Sequence, residues 1–183
     1  MVLTGTFEHT IDSKHRVAIP AEMRAQIARA AQTSDSEPLR LYVTLGEEGA
    51  LVLYTEAEFD KRAQQLDQAD MDDDELLQYE RLIFSLARSV ETDKQGRIRL
   101  PEQLLKYVEL GTDVVLIGVK DHIEIRARGE WDDQITQLIK QRHLIMNPRR
   151  ALRKRRPPGN TPGSAPGSSE AAKPAADSGS TEN

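Results

Sequence analysis

Apolar and polar residues alternate near the start of the chain, where Phe7, His9 and Ile11 interleave with Thr6, Glu8 and Thr10. A period of two predicts a half-buried strand. After a turn that begins at Asp12, a second short strand is expected from Arg16 to Ile19. Pro20 cannot donate to a ladder but suits the first turn of a helix, which the pattern carries from Ala21 to Ile27. Two further strands, Leu41 to Thr44 and Leu51 to Tyr54, are separated by a turn from Gly46 to Gly49.

The same succession returns later. A turn beginning at Asp93 leads to a strand from Arg97 to Leu100, then to Pro101 and a helix from Glu102 to Val108. Strands Val114 to Val119 and His122 to Arg126 follow, joined near Lys120 and Asp121. A fixed offset of 81 residues aligns Asp12 with Asp93, Arg16 with Arg97 and Pro20 with Pro101. It also pairs Val17 with Ile98, Ile19 with Leu100, Met23 with Leu104 and Ile27 with Val108. Matched apolar positions in one register argue for an internal duplication. The first copy carries about eight extra residues around "QTSDSEP", read as a surface loop.

Helical periodicity follows each set of strands. Phe59, Ala63 and Leu66 share a face, as do Trp131, Ile135, Leu138 and Ile139. Between them, acids from Asp70 to Glu75 precede Leu76, Leu77, Leu82, Ile83 and Leu86, a favourable helix start. Such stripes are read as core or subunit contact.

Charge is distributed unevenly. Residues 56–80 hold ten acids and two bases, whereas residues 140–156 hold eight bases and no acid. The acidic stretch reads as a solvated face, but six bases in the eight residues from Arg149 to Arg156 repel one another and suit a polyanionic partner. From Pro157 to Asn183, 19 of 27 residues are Pro, Gly, Ser or Ala, so this tail is expected to be disordered. Three segments result: residues 1–80 and 81–150, each a repeat with its helices, and 151–183, the basic segment and tail.

The chain has no cysteine, which removes disulfides, thiolate nucleophiles and Cys-bound zinc. No run approaches the roughly 18 apolar residues that span a bilayer, and the start has no signal-peptide pattern, so a cytoplasmic protein is expected.

The chemistry concentrates in the duplicated Asp-x-x-x-Arg turns, "DSKHR" and "DKQGR". In the strand after each turn, Val17 and Ile19, or Ile98 and Leu100, face the core, so Arg16, Arg97 and Arg99 face water. A guanidinium so placed suits phosphate or a guanine edge. Lys14 and Lys94 add charge with little geometry. Asp12 and Asp93 would be repelled by DNA, so they are read as supports that either accept from the turn's N–H groups or pair with the arginine.

"FEHTIDSKHRVAIPAEMR" and "RSVETDKQGRIRLPEQLLKY" resemble the two tandem halves of the MraZ family, over roughly residues 1–146. The resemblance implies an α+β protein in which two AbrB-like swapped-hairpin units form a pseudo-dimeric barrel with flanking helices. It implies a ring-like homo-oligomer and a nucleoid-associated transcriptional regulator that binds double-stranded DNA at short direct repeats upstream of the cell division and cell wall gene cluster. The chain departs from the family pattern at His15, where glycine is expected, and at Leu86, where the first repeat has Gly5. His15 either touches DNA or only tolerates the turn.

Three other readings fit less well. Acids at Asp70 to Glu75 could hold Mg²⁺ in a nuclease, but no second carboxylate cluster or placed base accompanies them. His9, His15, His122 and His143 lack metal-ligand spacing, so neither catalysis nor a metal is expected. Swapped-hairpin modules also serve in antitoxins, but this tail has few apolar anchors for a toxin. A structural oligomer that binds no DNA shares the fold without the task. No cofactor, small-molecule substrate or membrane partner is expected.

Overall fold

The computed structural model describes residues 1–34, 37–66 and 72–146. The basic segment from Arg149 to Arg156, the tail, and Asp70 of the acidic stretch lie outside the described residues. One compact unit runs from Met1 to Arg142. In the second unit, which begins at His143, the described residues include the end of the short helix Arg142–Ile145.

The first repeat supplies β1 (Thr6–Thr10), β2 (Arg16–Ala18), α1 (Ala21–Ala31), β3 (Arg40–Leu45) and β4 (Leu51–Thr55). Helices α2 (Glu56–Leu66) and α3 (Asp73–Leu86) lead to the second repeat. It supplies β5 (Arg88–Glu91), β6 (Arg97–Arg99), α4 (Glu102–Leu105), β7 (Asp113–Val119), β8 (His122–Ala127) and α5 (Arg128–Lys140). The second repeat's helix stops at Leu105, short of Val108, whereas α1 extends past Ile27 to Ala31. Leu86 closes α3, so β5 is entered from a helix where β1 is entered from a loop containing Gly5.

The strands of the two repeats interleave. One sheet runs β1-β7-β8-β4-β3-β5, and β2 pairs with β6 in a separate two-stranded ribbon. Exchanging the repeats turns β1 into β5, β3 into β7 and β4 into β8, and the order reads the same backwards. Each copy's first strand therefore pairs with the other copy's third: Phe7 lies opposite Leu116, and Val90 opposite Leu41. Among the described residues β1 and β5 are the edges of this sheet, and the strand pairings do not close it into a barrel.

All four duplicated apolar pairs are buried: Val17 with Ile98, Ile19 with Leu100, Met23 with Leu104 and Ile27 with Val108. Val17 and Ile98 face each other across the ribbon, and with Leu41, Leu53, Leu116 and Ile125 they belong to one hydrophobic core. Burying each such side chain contributes about 1.5–3 kcal/mol before entropy is counted. Ile11 of the first repeat is matched by Thr92, whose buried hydroxyl accepts from the Leu39 N–H at 2.8 Å, so the polar substitution leaves no orphan.

The sheet's other face is covered by helices. Phe59 of α2 stacks on Tyr42 with ring centroids 4.7 Å apart, and Phe84 of α3 meets Phe59 edge-on at 5.4 Å. Thr44 donates to the carbonyl of Ile83, fixing α3 to β3 at 2.9 Å. Helix α3 starts where Asp72 accepts from the N–H of Asp74 as its N-cap, with Asp73, Asp74 and Glu75 in the first turn. Helix α5 contacts β7 and β8, yet Leu138 and Ile139 of its stripe stay exposed.

Candidate nucleic-acid interface

The two Asp-x-x-x-Arg turns close with the same backbone bonds. In the first, Asp12 N–H donates to the Arg16 carbonyl and His15 N–H to the Asp12 carbonyl, both at 2.9 Å. In the second, Asp93 N–H donates to Arg97 and Gly96 N–H to Asp93, both at 2.8 Å. The residue three after the aspartate is left-handed in both, with φ 59° at His15 and 72° at Gly96. Glycine takes this conformation freely, whereas histidine does so at a cost of about 1 kcal/mol.

Each aspartate divides its oxygens between two tasks. Oδ1 of Asp12 accepts from the N–H groups of Lys14 and Arg16, both at 2.9 Å. Oδ2 accepts from Nε and Nη2 of Arg16 at 2.8 and 2.7 Å. Asp93 repeats the arrangement with the N–H groups of Gln95 and Arg97 on Oδ1, and with Arg97 Nε and Nη2 on Oδ2 at 2.9 and 2.7 Å. The two readings of the aspartate, turn acceptor and arginine partner, hold together in one side chain. The arginine side chain, followed by the backbone N–H groups, holds each carboxyl down at about 2.

The arginines keep donors to spare. A guanidinium carries five N–H groups, of which the aspartate engages Nε and one on Nη2. The side chains of Arg16 and Arg97 are 31% and 30% exposed, so the two turns present them alike. The carboxylate sets the guanidinium's rotamer while leaving Nη1 for an outside acceptor.

The ribbon brings the repeats together at these turns. Arg16 lies directly opposite Arg99, and Arg97 opposite Ala18. Ile19 N–H donates to the Gly96 carbonyl and Leu100 N–H to the His15 carbonyl, both at 2.8 Å, so each strand's end grips the other repeat's turn. The first turn therefore gathers Lys14, His15, Arg16 and Arg99 around one shallow cavity with Glu102. Arg99 is tied to Glu102 at 3.1 Å, and His15 Nδ1 lies 3.8 Å from the same carboxylate. That nitrogen is enclosed and has no hydrogen-bond partner among the described residues.

Lys14 and Lys94 are not counterparts. The offset aligns Lys14 with Gln95 and Lys94 with Ser13, so the two lysines leave their turns one position apart. Sequence reasoning also passed over Arg24. Its guanidinium reaches from α1 to cover Gly96, in a cavity shared with Asp93 and Lys94. Nothing in the sequence marks it, since the second repeat has Leu105 at the matching position.

The family model described as "MraZ protein, putative antitoxin-like" matches residues 2–79 and 83–154. The match takes in the basic stretch as far as Lys154, further than the resemblance drawn over residues 1–146. A Mesoplasma florum protein named transcriptional regulator MraZ is 33% identical over 133 residues, 73% of this chain and 85% of its own. The protein of that name from Desulforamulus reducens is 34% identical over 128 residues, 70% of this chain and 83% of its own. The one from Roseiflexus castenholzii is 30% identical over 134 residues, 73% of this chain and 87% of its own.

Proposed function

Because the chain belongs to the MraZ family, whose relatives are named transcriptional regulators and not enzymes, we propose that it is a DNA-binding transcriptional regulator with Arg16 and Arg97 as its principal DNA contacts. The observation that carries this reading is the duplicated clamp, in which Asp12 or Asp93 fixes an arginine and leaves donors for phosphate or a guanine edge. Lys14, Lys94 and Arg99 add backbone charge, while His15 supports the first turn through its left-handed geometry and lies close enough to join the contact. Asp12 and Asp93 act through the arginines.

The ribbon contributes its outer face, because Val17 and Ile98 commit the inner face to the core. Contacts of β1 with β2 and of β5 with β6 favour a ribbon that closes the interleaved sheet into a pseudo-dimeric barrel. The repeats at 1–80 and 81–150 then act as its two halves. Family resemblance supports a ring-like homo-oligomer, nucleoid association, and binding to short direct repeats upstream of the cell division and cell wall gene cluster. On such an oligomer, weak single contacts at successive repeats add up to tight, spacing-dependent occupancy.

The test measures binding to the gene's own upstream DNA against scrambled DNA across a salt series. Specific binding that weakens steeply with salt and falls about tenfold or more in Arg16→Ala and in Arg97→Ala, with oligomer mass unchanged, is the expected result. Wild-type affinity in both variants would sink the assignment. A variant lacking residues 149–156 separates the basic segment, whose loss should weaken binding to both DNAs alike.

A further inference from the structure

The second turn has no side chain at its left-handed position, yet that position is not empty. A Cβ built on Gly96 would collide with the Arg24 guanidinium, which lies directly over the glycine. Arg24 is anchored there: its Nη1 donates to the Ile19 carbonyl at 2.5 Å, and the Ile19 N–H donates to the Gly96 carbonyl at 2.8 Å. One residue of the first repeat thus links the arginine of α1 to the turn of the second repeat.

The two turns are completed in opposite ways. At the first, the turn's own His15 is present, and the helix position equivalent to Arg24 is Leu105. At the second, the turn is bare and the helix of the other repeat brings a cation. A merely space-filling role would be met by an apolar side chain. The arginine instead stands in a cavity with Lys94, Asp93 and Glu37, and the described structure gives its guanidinium one hydrogen bond, to Ile19. It holds N–H groups beyond that bond, beside the turn whose Arg97 is clamped for contact.

We propose that Arg24 is a DNA-phosphate-binding residue of the second turn, supplied across the repeat boundary to the cation set of Lys94 and Arg97. The proposal rests on the DNA-binding reading and extends it to a residue outside both motifs. Gly96 is required because a side chain there would displace the lent cation.

Two variants separate charge from support. Arg24→Gln keeps a donor for the Ile19 carbonyl without the charge, and Arg24→Lys keeps the charge without the fork. Binding of the full-length proteins to the upstream DNA is measured across a salt series, with oligomer mass followed by sedimentation. Arg24→Gln should bind about tenfold more weakly, and its plot of log K against log salt should be shallower by about 0.9 for each phosphate that is no longer neutralised. Arg24→Lys should keep the wild-type slope. A wild-type slope in Arg24→Gln overturns the proposal, because the charge then carries no phosphate contact, as does a shallower slope in Arg24→Lys, because the slope then falls although the charge is kept. If the wild-type protein itself ignores DNA sequence and Arg97→Ala changes nothing, the DNA reading fails, and this inference fails with it. Specific, Arg97-dependent binding with an unaltered slope in Arg24→Gln overturns this inference alone.

Discussion

At one turn a histidine holds the left-handed position, and at the other a glycine holds it beneath an arginine from the opposite repeat. The hydrogen bonds that close the two turns are otherwise the same, as is each aspartate's hold on its arginine. Duplication thus preserved what fixes the guanidinium and let the surroundings diverge. Arg16 acquired Arg99 across the ribbon, while Arg97 faces Ala18 and has Arg24 near its turn. A pseudo-symmetric protein built this way offers DNA two related but unequal surfaces.

The strongest way to break that comparison is to remove each arginine in turn. Arg16→Ala and Arg97→Ala should each weaken specific binding by about tenfold or more, as expected when a good bidentate pairing is removed. Equal losses and equal changes in sequence preference, read by competition with scrambled DNA, would mean that the unequal surroundings do not matter. Arg99→Ala sharpens the contrast, since it should affect binding by Arg97→Ala protein, which relies on the first turn, more than binding by Arg16→Ala protein.

The clamps come next. Asp12→Asn and Asp93→Asn keep an acceptor for the turn's N–H groups but remove the charge that pairs with the guanidinium. Each should weaken specific binding a few-fold, less than loss of the arginine, because the cation remains while its rotamer is freed. An increase in affinity would show that the carboxylate's repulsion of DNA outweighs its positioning.

Exchanging the left-handed residues probes stability. Gly96→His must adopt a positive φ and displace Arg24, which should cost about 1–3 kcal/mol. His15→Gly should stay within about 0.5 kcal/mol of wild type, because relief of backbone strain is offset by greater freedom in the unfolded chain. Denaturant titration measures both, and equal effects would erase the difference between the turns.

The smallest effect is a titration. Both aspartates ionise near 2 in the folded protein instead of at the ordinary 3.8, chiefly through the arginine's hydrogen bonds. The stability they contribute is fully present above about pH 4 and is lost as pH falls through 2. Carboxyl carbon NMR should give midpoints near 2 for both, and a midpoint near 4 at either turn would mean that its clamp is open.

Much of this architecture was legible because burial imposes periodicity. The offset that pairs Val17 with Ile98 and Met23 with Leu104 marks residues that all reach the core, and it located both turns and their arginines. The division of Asp12 between backbone and guanidinium was not legible, since either task alone satisfies a carboxylate at that spacing. Arg24 was invisible for a different reason: its partner turn lies 72 residues away in the chain, and the repeat offers Leu105 as its counterpart.

What the sequence determined by itself was therefore local and periodic: two copies of a strand, a clamped turn and a proline-led helix, with their inward faces set by alternation. Which copy completes which turn was decided only by the tertiary structure. Interleaving carries β1 to β7 and β5 to β3 and sets β2 against β6. That pairing places Arg99 beside Arg16 and lays Arg24 over Gly96. Alternation specifies which face of a strand is buried, but the neighbours of that face depend on contacts distant in sequence, and no local pattern encodes them.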